Sequence, residues 1–453
     1  MRSYQLATFA TLLLMASNGL AQQRPNIIYV IVDDMGYADL SCYGQKSYKT
    51  PNLDRMAAQG IRFTDAYSGS TVCAPSRSTI MTGQHTGHTP LRVNGGGAPL
   101  PDEVVTLTEV LKQAGYATGG FGKWGLGDVD TEGVPEKQGF DRFFGYYDQV
   151  HAHNYYPSFL VDTGKRYDLN PKLPEAKRHT QNLIFREMKK WIRDNKQKPF
   201  FCYAPWTPPH ARYQIPSNDP AWLAVKDKPW PMRTRGHAAF NLMVDRHVGE
   251  LFALLQELGI DDNTIVIFSS DNGASMRNDG TLNSCGPFRG FKRSLHEGGL
   301  RVPFIVRWPG KIKPGQVTDL PIYFPDLMPT FADLAGASKL LPKDIDGISF
   351  VPTLLTNGKQ KRHKFMYWEW GRKRLQRGVR HGQWKLVKKK TKWEVYDLST
   401  DLGETKDLSA KHANLIRIVE TWIAKNRTEP PRLIDPRGEG GKAFRTPKVP
   451  VSQ

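Results

Sequence analysis

Asp33 and Asp34 stand directly after an apolar, β-branched run, Asn26–Val32 (NIIYVIV), and Asp271 and Asn272 directly after a second, Thr264–Ser269. Neighbouring carboxylates repel, and a bound dication is the usual way to keep both ionised at a strand end. Three carboxylates and an amide oxygen form a hard, all-oxygen donor set, suited to Ca²⁺ or Mg²⁺ rather than Zn²⁺. Asp-Asp and Asp-Asn-Gly also start turns without any metal; the recurrence of such a pair after two buried-type strands favours the metal. A third segment, Thr71–Gly83 (TVCAPSRSTIMTG), offers a nucleophile. Pro75 suits a first helical position and Gly83 a C-terminal stop. Cys73 is therefore expected just before a helix N-terminus, where free N–H groups and the helix dipole favour anions. Arg77, on the first turn, adds a fixed charge with bidentate geometry for an oxyanion. The plain alternative is a buried small thiol beside an ordinary arginine.

The elements that must position these groups alternate along the chain. Helix signals fall at Asn52–Gln59, Thr106–Ala114, Gln181–Lys190, Ala238–Leu258 and Pro325–Leu334, with further strand-like runs at Phe200–Ala204 and Val302–Val306. Such alternation predicts an α/β fold with a large, mostly parallel sheet sandwiched by helices, whose ligands bind beyond the carboxyl ends of the strands. From about residue 361 the texture changes. Phe365–Trp370, Trp384–Val387 and Glu394–Leu398 read as a small antiparallel sheet, followed by a helix near Ala413–Ala424. The organisation expected is a catalytic unit over 22–360, a small α+β subdomain over 361–430 and a basic tail over 431–453.

Charge and address constrain the partner. The 453 residues carry a formal charge of +19, and residues 361–453 hold 23 of the 63 Lys and Arg against 10 of the 44 acids. That asymmetry favours an anionic partner or, more plainly, a solvated basic face. Residues 1–21, with Arg2, an apolar run from Leu6 to Met15 and Ala21, have the layout of a signal peptide, and no later segment is long and apolar enough to span a bilayer. An exported protein, periplasmic or secreted, meets extracellular polyanions rather than nucleic acid. Four cysteines, Cys42, Cys73, Cys202 and Cys285, are too few for a disulfide scaffold in so long a chain.

Cys73-Ala74-Pro75-Ser76-Arg77 resembles the C-x-P-S-R signature of the formylglycine-dependent sulfatases, and Thr79–Gly83 (TIMTG) extends the likeness. Other segments agree in order: NIIYVIVDDMGYADLSCYG (26–44), TPNLDRMAAQGIRFTDAY (50–67), GYATGGFGKWGLG (115–127), IVIFSSDNG (265–273) and RGFKRSLHEGGLRVPFIVRWPG (289–310). The likeness covers residues 25–410.

It implies that a maturation enzyme oxidises Cys73 to formylglycine, whose hydrate attacks the sulfur of a sulfate ester; the alcohol leaves, and the second hydroxyl then expels sulfate. It further implies that Asp33, Asp34, Asp271 and Asn272, with residue 73, bind a metal, usually Ca²⁺, and that Asp271 also takes the attacking hydroxyl's proton. Arg77 would orient the diol, Lys123 and Lys292 would hold the sulfate, and His210 would protonate the leaving alcohol. Many relatives carry a histidine, credited with triggering sulfate release, where this chain has Gly125. The segment QVHAHNYYP (149–157) offers His151 and His153, whose spacing of two points both the same way in an extended strand; His151 is the first choice for the missing base. The leading expectation is a sulfatase acting on a sulfated carbohydrate. A phosphomonoesterase or phosphonate hydrolase of the same site plan, and a non-catalytic polyanion binder, are the alternatives.

Overall fold

In the computed structural model, the structure describes residues 24–94, 99–169, 178–275, 280–356, 358–371 and 374–430. The signal-peptide and basic-tail expectations for 1–21 and 431–453 lie outside the described residues.

A ten-stranded sheet runs in the order β11-β2-β10-β9-β1-β8-β4-β5-β6-β7. Its strands are β1 (Asn26–Asp33), β2 (Ile61–Phe63), β4 (Ala117–Lys123), β5 (Arg142–Tyr146), β6 (Phe159–Asp162), β7 (Lys165–Asp168), β8 (Phe200–Pro209), β9 (Thr264–Ser270), β10 (Phe304–Arg307) and β11 (Gln316–Thr318). The five central strands β9, β1, β8, β4 and β5 are parallel to their neighbours, while β10 and β6 attach antiparallel, so the sheet is mixed at its margins. Every residue of β1 is buried, because alternate side chains enter different cores. Ile27, Tyr29 and Ile31 pack with α3 (Leu107–Gln113) and α6 (Leu327–Leu334). Ile28, Val30 and Val32 pack with α4 (Thr180–Asn195) and α5 (Met232–Glu257).

The parallel register delivers the candidate residues to one edge. Val32 pairs with Ser270 on one side, and Asp33 with Pro209 on the other, across a register shift. The strands β9, β1, β8 and β4 therefore end, side by side, at Asp271-Asn272, Asp33-Asp34, His210 and Lys123.

A four-stranded antiparallel sheet follows: β13 (Met366–Trp370), β14 (Gln376–His381), β15 (Trp384–Lys389) and β16 (Lys392–Asp397). One face packs on α7 (Ala413–Lys425) through Tyr367, Val379, Leu386, Val395, Val419 and Ile423. The other face meets Tyr67, Leu295 and Leu300. That contact contains a buried ionic knot. Glu297 accepts from Lys385 Nζ at 2.8 Å, Arg301 Nε at 2.8 Å and the Tyr67 hydroxyl at 2.7 Å. Burial opposes ionisation of Glu297, but Lys385, Arg301 and Arg380 hold its carboxyl well below the usual range. Its stabilising contribution is thus complete above the carboxyl's unfolded pKa and is lost as pH falls through the folded one. Lys385→Met leaves that buried charge short of a partner and is expected to cost about 3–5 kcal/mol, read as a lower urea midpoint at pH 7.

Candidate active site

The helix α2 (Cys73–Thr82) begins at Cys73 itself, two residues earlier than Pro75 indicates, and ends on Gly83 at φ +66°. All ten of its residues are buried. The Cys73 thiol donates to Asp33 Oδ1 at 3.2 Å and accepts from Lys292 Nζ at 3.3 Å. Burial, then Asp33, pushes this thiol up to about 12.

Around it, three carboxylates and three cations interlock. Lys123 Nζ bonds Asp33 Oδ2, and Lys292 Nζ bonds Asp34 Oδ1, each at 2.5 Å. Arg77 reaches Asp271 Oδ2 through Nε at 3.2 Å and Nη2 at 2.9 Å, and lies 3.4 Å from Asp33. Burial would raise Asp33, but Lys123, His210, Lys292 and Arg77 hold it well below the ordinary range. Asp271 goes the other way: burial, with Asp33 beside it, lifts it to about 6. Burial works against the charge on Lys123 and Lys292, yet Asp33 and Asp34 respectively hold both ammonium groups charged above the usual lysine range. Asp34 adopts φ +69°, fixed by its own N–H on Asp271 Oδ1 at 3.3 Å and by the Met35 N–H on Ser270 Oγ at 2.9 Å. Strain of this kind gathers where function over-determines the backbone.

The donor set fits a hard dication. Ligand atoms of Asp33, Asp34, Cys73 and Asp271 lie within 4.8 Å of one another. Asn272 donates through Nδ2 to Asp34 at 2.7 Å, which leaves its buried Oδ1 without a hydrogen-bond partner. An orphaned amide oxygen next to three carboxylates is what an oxygen-seeking ion requires.

His210 follows β8 with Nε2 3.5 Å from Asp34 Oδ2 and Nδ1 bonded to the Ala211 carbonyl. Burial lowers its pKa against the pull of Asp34 and Asp33. His151 and His153 are not in a strand. They form a 3₁₀ turn, His151–His153, so their rings diverge. His151 packs on Tyr146 and Phe159, and the structure does not bring it to the cluster. His153 stacks on His210 with ring centroids 4.2 Å apart, and burial, followed by Lys123 and His210, drives its pKa down to about 2. A strand-based reading of the spacing points both rings the same way; the turn separates them and sets His153, not His151, beside His210.

Two further contacts carried no signal in the sequence. Asn94 Oδ1 accepts the Ala74 N–H at 2.9 Å, pinning the start of α2. Gly125 sits at φ +78°, and a Cβ there would lie 2.9 Å from Gln149 Oε1, so Gln149 stands where a side chain at 125 would go. None of the four cysteines is paired.

Among known proteins, a family model described as Sulfatase matches residues 25–337, and one described as N-sulphoglucosamine sulphohydrolase, C-terminal, matches residues 286–428. N-acetylgalactosamine-6-sulfatase of Mus musculus is 33% identical over 470 residues, covering 96% of this chain and 85% of its own. Arylsulfatase A of Homo sapiens is 36% identical over 396 residues, covering 79% of this chain and 73% of its own. The crystal structure of Ps i-CgsB in complex with k-i-k-neocarrahexaose superposes with a TM-score of 0.80 at 28% identity, covering 91% of this chain and 96% of that one.

Burial raises Cys42, Cys73 and Cys285 to about 12 and Cys202 higher still. A thiol at that value is about one part in ten thousand thiolate at pH 8. The folded protein is therefore expected to show no fast-reacting thiol toward a disulfide reagent at pH 8, whereas the chain unfolded in guanidinium reacts at once.

Proposed function

The chain belongs to the sulfatase family and is a sulfuric ester hydrolase; on that premise we propose that it strips sulfate from sulfated carbohydrates using residue 73 as its nucleophile. The observation that supports this most directly is the balance of the cluster. Asp33, Asp34 and Asp271 face Lys123, Lys292 and Arg77, three charges against three, with Cys73 between them. A divalent cation on the carboxylates and a sulfate ester, a monoanion, on the cations leave one net positive charge, which favours ionisation of the attacking hydroxyl between them.

In this reading Asp33, Asp34, Asp271 and the Asn272 amide oxygen hold Ca²⁺, with Mg²⁺ the less favoured ion, beside residue 73. Oxidation of Cys73 to formylglycine by a maturation enzyme supplies a hydrated aldehyde, whose second hydroxyl gives a route for turnover that a simple alcohol lacks. Lys123 and Lys292, released from their carboxylates, hold the sulfate oxygens. Arg77 is locked by Asp271 and orients the nucleophile. Asp271, lifted toward neutrality, accepts the attacking hydroxyl's proton. His210 donates through Nδ1 to the Ala211 carbonyl, so a proton on Nε2 for the departing alkoxide makes it an imidazolium, a form that Asp34 and Asp33 favour against burial; such help is worth about 10²–10⁴-fold. His153, kept neutral by burial and by the cations around it, is the base for sulfate release in place of a histidine at 125. His151 has no part in this scheme.

The carbohydrate substrate draws support from a relative named for N-acetylgalactosamine 6-sulfate and a structural neighbour holding an oligosaccharide. Residues 1–21 fit a signal peptide, placing the enzyme in the periplasm or outside the cell. No helix among the described residues is long and apolar enough to cross a membrane.

The test is mass spectrometry of the tryptic peptide Phe63–Arg77 together with sulfate release. An aldehyde at residue 73, three thiols instead of four in the unfolded chain, and free sulfate from a sulfated oligosaccharide are expected. Matured enzyme that releases phosphate but no sulfate, or neither, rejects the proposal. His153→Ala and His210→Ala are each expected to lower kcat by about 10²–10⁴-fold, with His151→Ala near the parent value. Ca²⁺ at a hundred times its Kd should add about 2.7 kcal/mol of stability, seen as a Tm rise that EDTA abolishes and that the Asp33→Asn/Asp271→Asn variant lacks.

A further inference from the structure

We infer that one end of the C-terminal sheet is a docking track for a polyanionic chain leaving the catalytic site. This rests on the reading of that site as one for sulfated carbohydrates and adds that the substrate is a polymer bearing several sulfates. Trp370 pairs with Gln376, Arg377 with Lys388, and Lys389 with Lys392, so Arg374, two residues before β14, and the β15–β16 turn lie at the same end of the sheet. The residues gathered there include Arg374, Arg377, Lys388, Lys389, Lys390 and Lys392.

Two contacts fix where that end sits. Lys389 Nζ lies 2.8 Å from His296 Nε2, on the segment that carries Lys292. On the other margin, Glu369, next to Trp370, accepts from Arg92 Nη1 at 3.1 Å, and Asn94, two residues on, holds the Ala74 N–H beside Cys73. The basic end thus adjoins both flanks of the catalytic cluster. Arg293, immediately after Lys292, is exposed.

Some of these cations are already paired. Lys388 bonds Glu420 at 2.8 Å, and Lys389 lies 3.7 Å from Glu394. Arg374, Lys390 and Lys392 are exposed and have no carboxylate within ion-pair distance among the described residues. Like charges held together this way repel, and a strand of regularly spaced anions relieves the repulsion while releasing its own counter-ions. A monosaccharide sulfate seated against Lys123 and Lys292 would leave this end unused; a chain continuing from it would not.

Dextran sulfate is the probe, titrated against the full-length protein and the Arg374→Glu/Lys390→Glu/Lys392→Glu variant at two salt concentrations. The variant is expected to bind roughly tenfold more weakly or worse, with a log–log salt slope shallower by about two. Arg374→Gln/Lys390→Gln/Lys392→Gln should fall between it and the parent. Equal Kd and slope in parent and variants overturn the track. In the parent, dextran sulfate should compete with 4-nitrophenyl sulfate for hydrolysis, while the variants turn over that small ester as the parent does. Inhibition that is not competitive overturns the continuity with the catalytic site. A parent that binds dextran sulfate through these residues but hydrolyses no sulfate ester keeps the track and refutes the catalytic reading.

Discussion

Six ionised side chains share one water-poor volume, and the structure around them is arranged so that none is left uncompensated. An isolated buried charge is prohibitive, and a buried pair is tolerated only with close geometry and additional hydrogen bonds. Here each carboxylate has its own cation: Asp33 has Lys123, Asp34 has Lys292 and Asp271 has Arg77. The pairings are separable, because two of the three cations are lysines, point charges on flexible stems, and only Arg77 is held as a fork. Lysines can therefore change partners when an anion arrives, while the arginine keeps its place.

That balance depends on the sheet. Parallel neighbours place the carboxyl ends of β9, β1, β8 and β4 in one row, so residues more than 200 positions apart in sequence meet without any loop reaching far. Glu404, in the segment after β16, accepts the Glu297 N–H, and with the ionic knot at Glu297 it ties the Lys292 turn to the C-terminal sheet. The small sheet acts on the site through position, by holding the turn that carries Lys292.

Much of this was legible in the chain. Buried strands rich in β-branched residues announce themselves, and β1, β8 and β9 fall where their composition places them. β4 did not, because Gly119 and Gly120 lower its strand signal; a Cβ at either would strike Trp191 or Phe143, so packing dictates glycine where propensity opposes it. β14 (QRGVRH) escaped for a different reason: it is polar, and pairing with two neighbours keeps it in place. The catalytic cluster follows from motifs that sit at strand ends and at a helix start. Loop geometry does not. Whether residues 149–157 run extended or turn decides which histidine meets His210, and nothing local in that segment distinguishes the two.

Gly125 and Gln149 constrain what position 125 can hold. A histidine introduced at 125 would need a left-handed backbone, costing about 1–2 kcal/mol, and its Cβ would press on Oε1 of Gln149, the far end of a flexible side chain. The barrier to a side chain in the GKWGLG segment is thus set by the backbone at 125, with Gln149 a secondary contact that can turn aside.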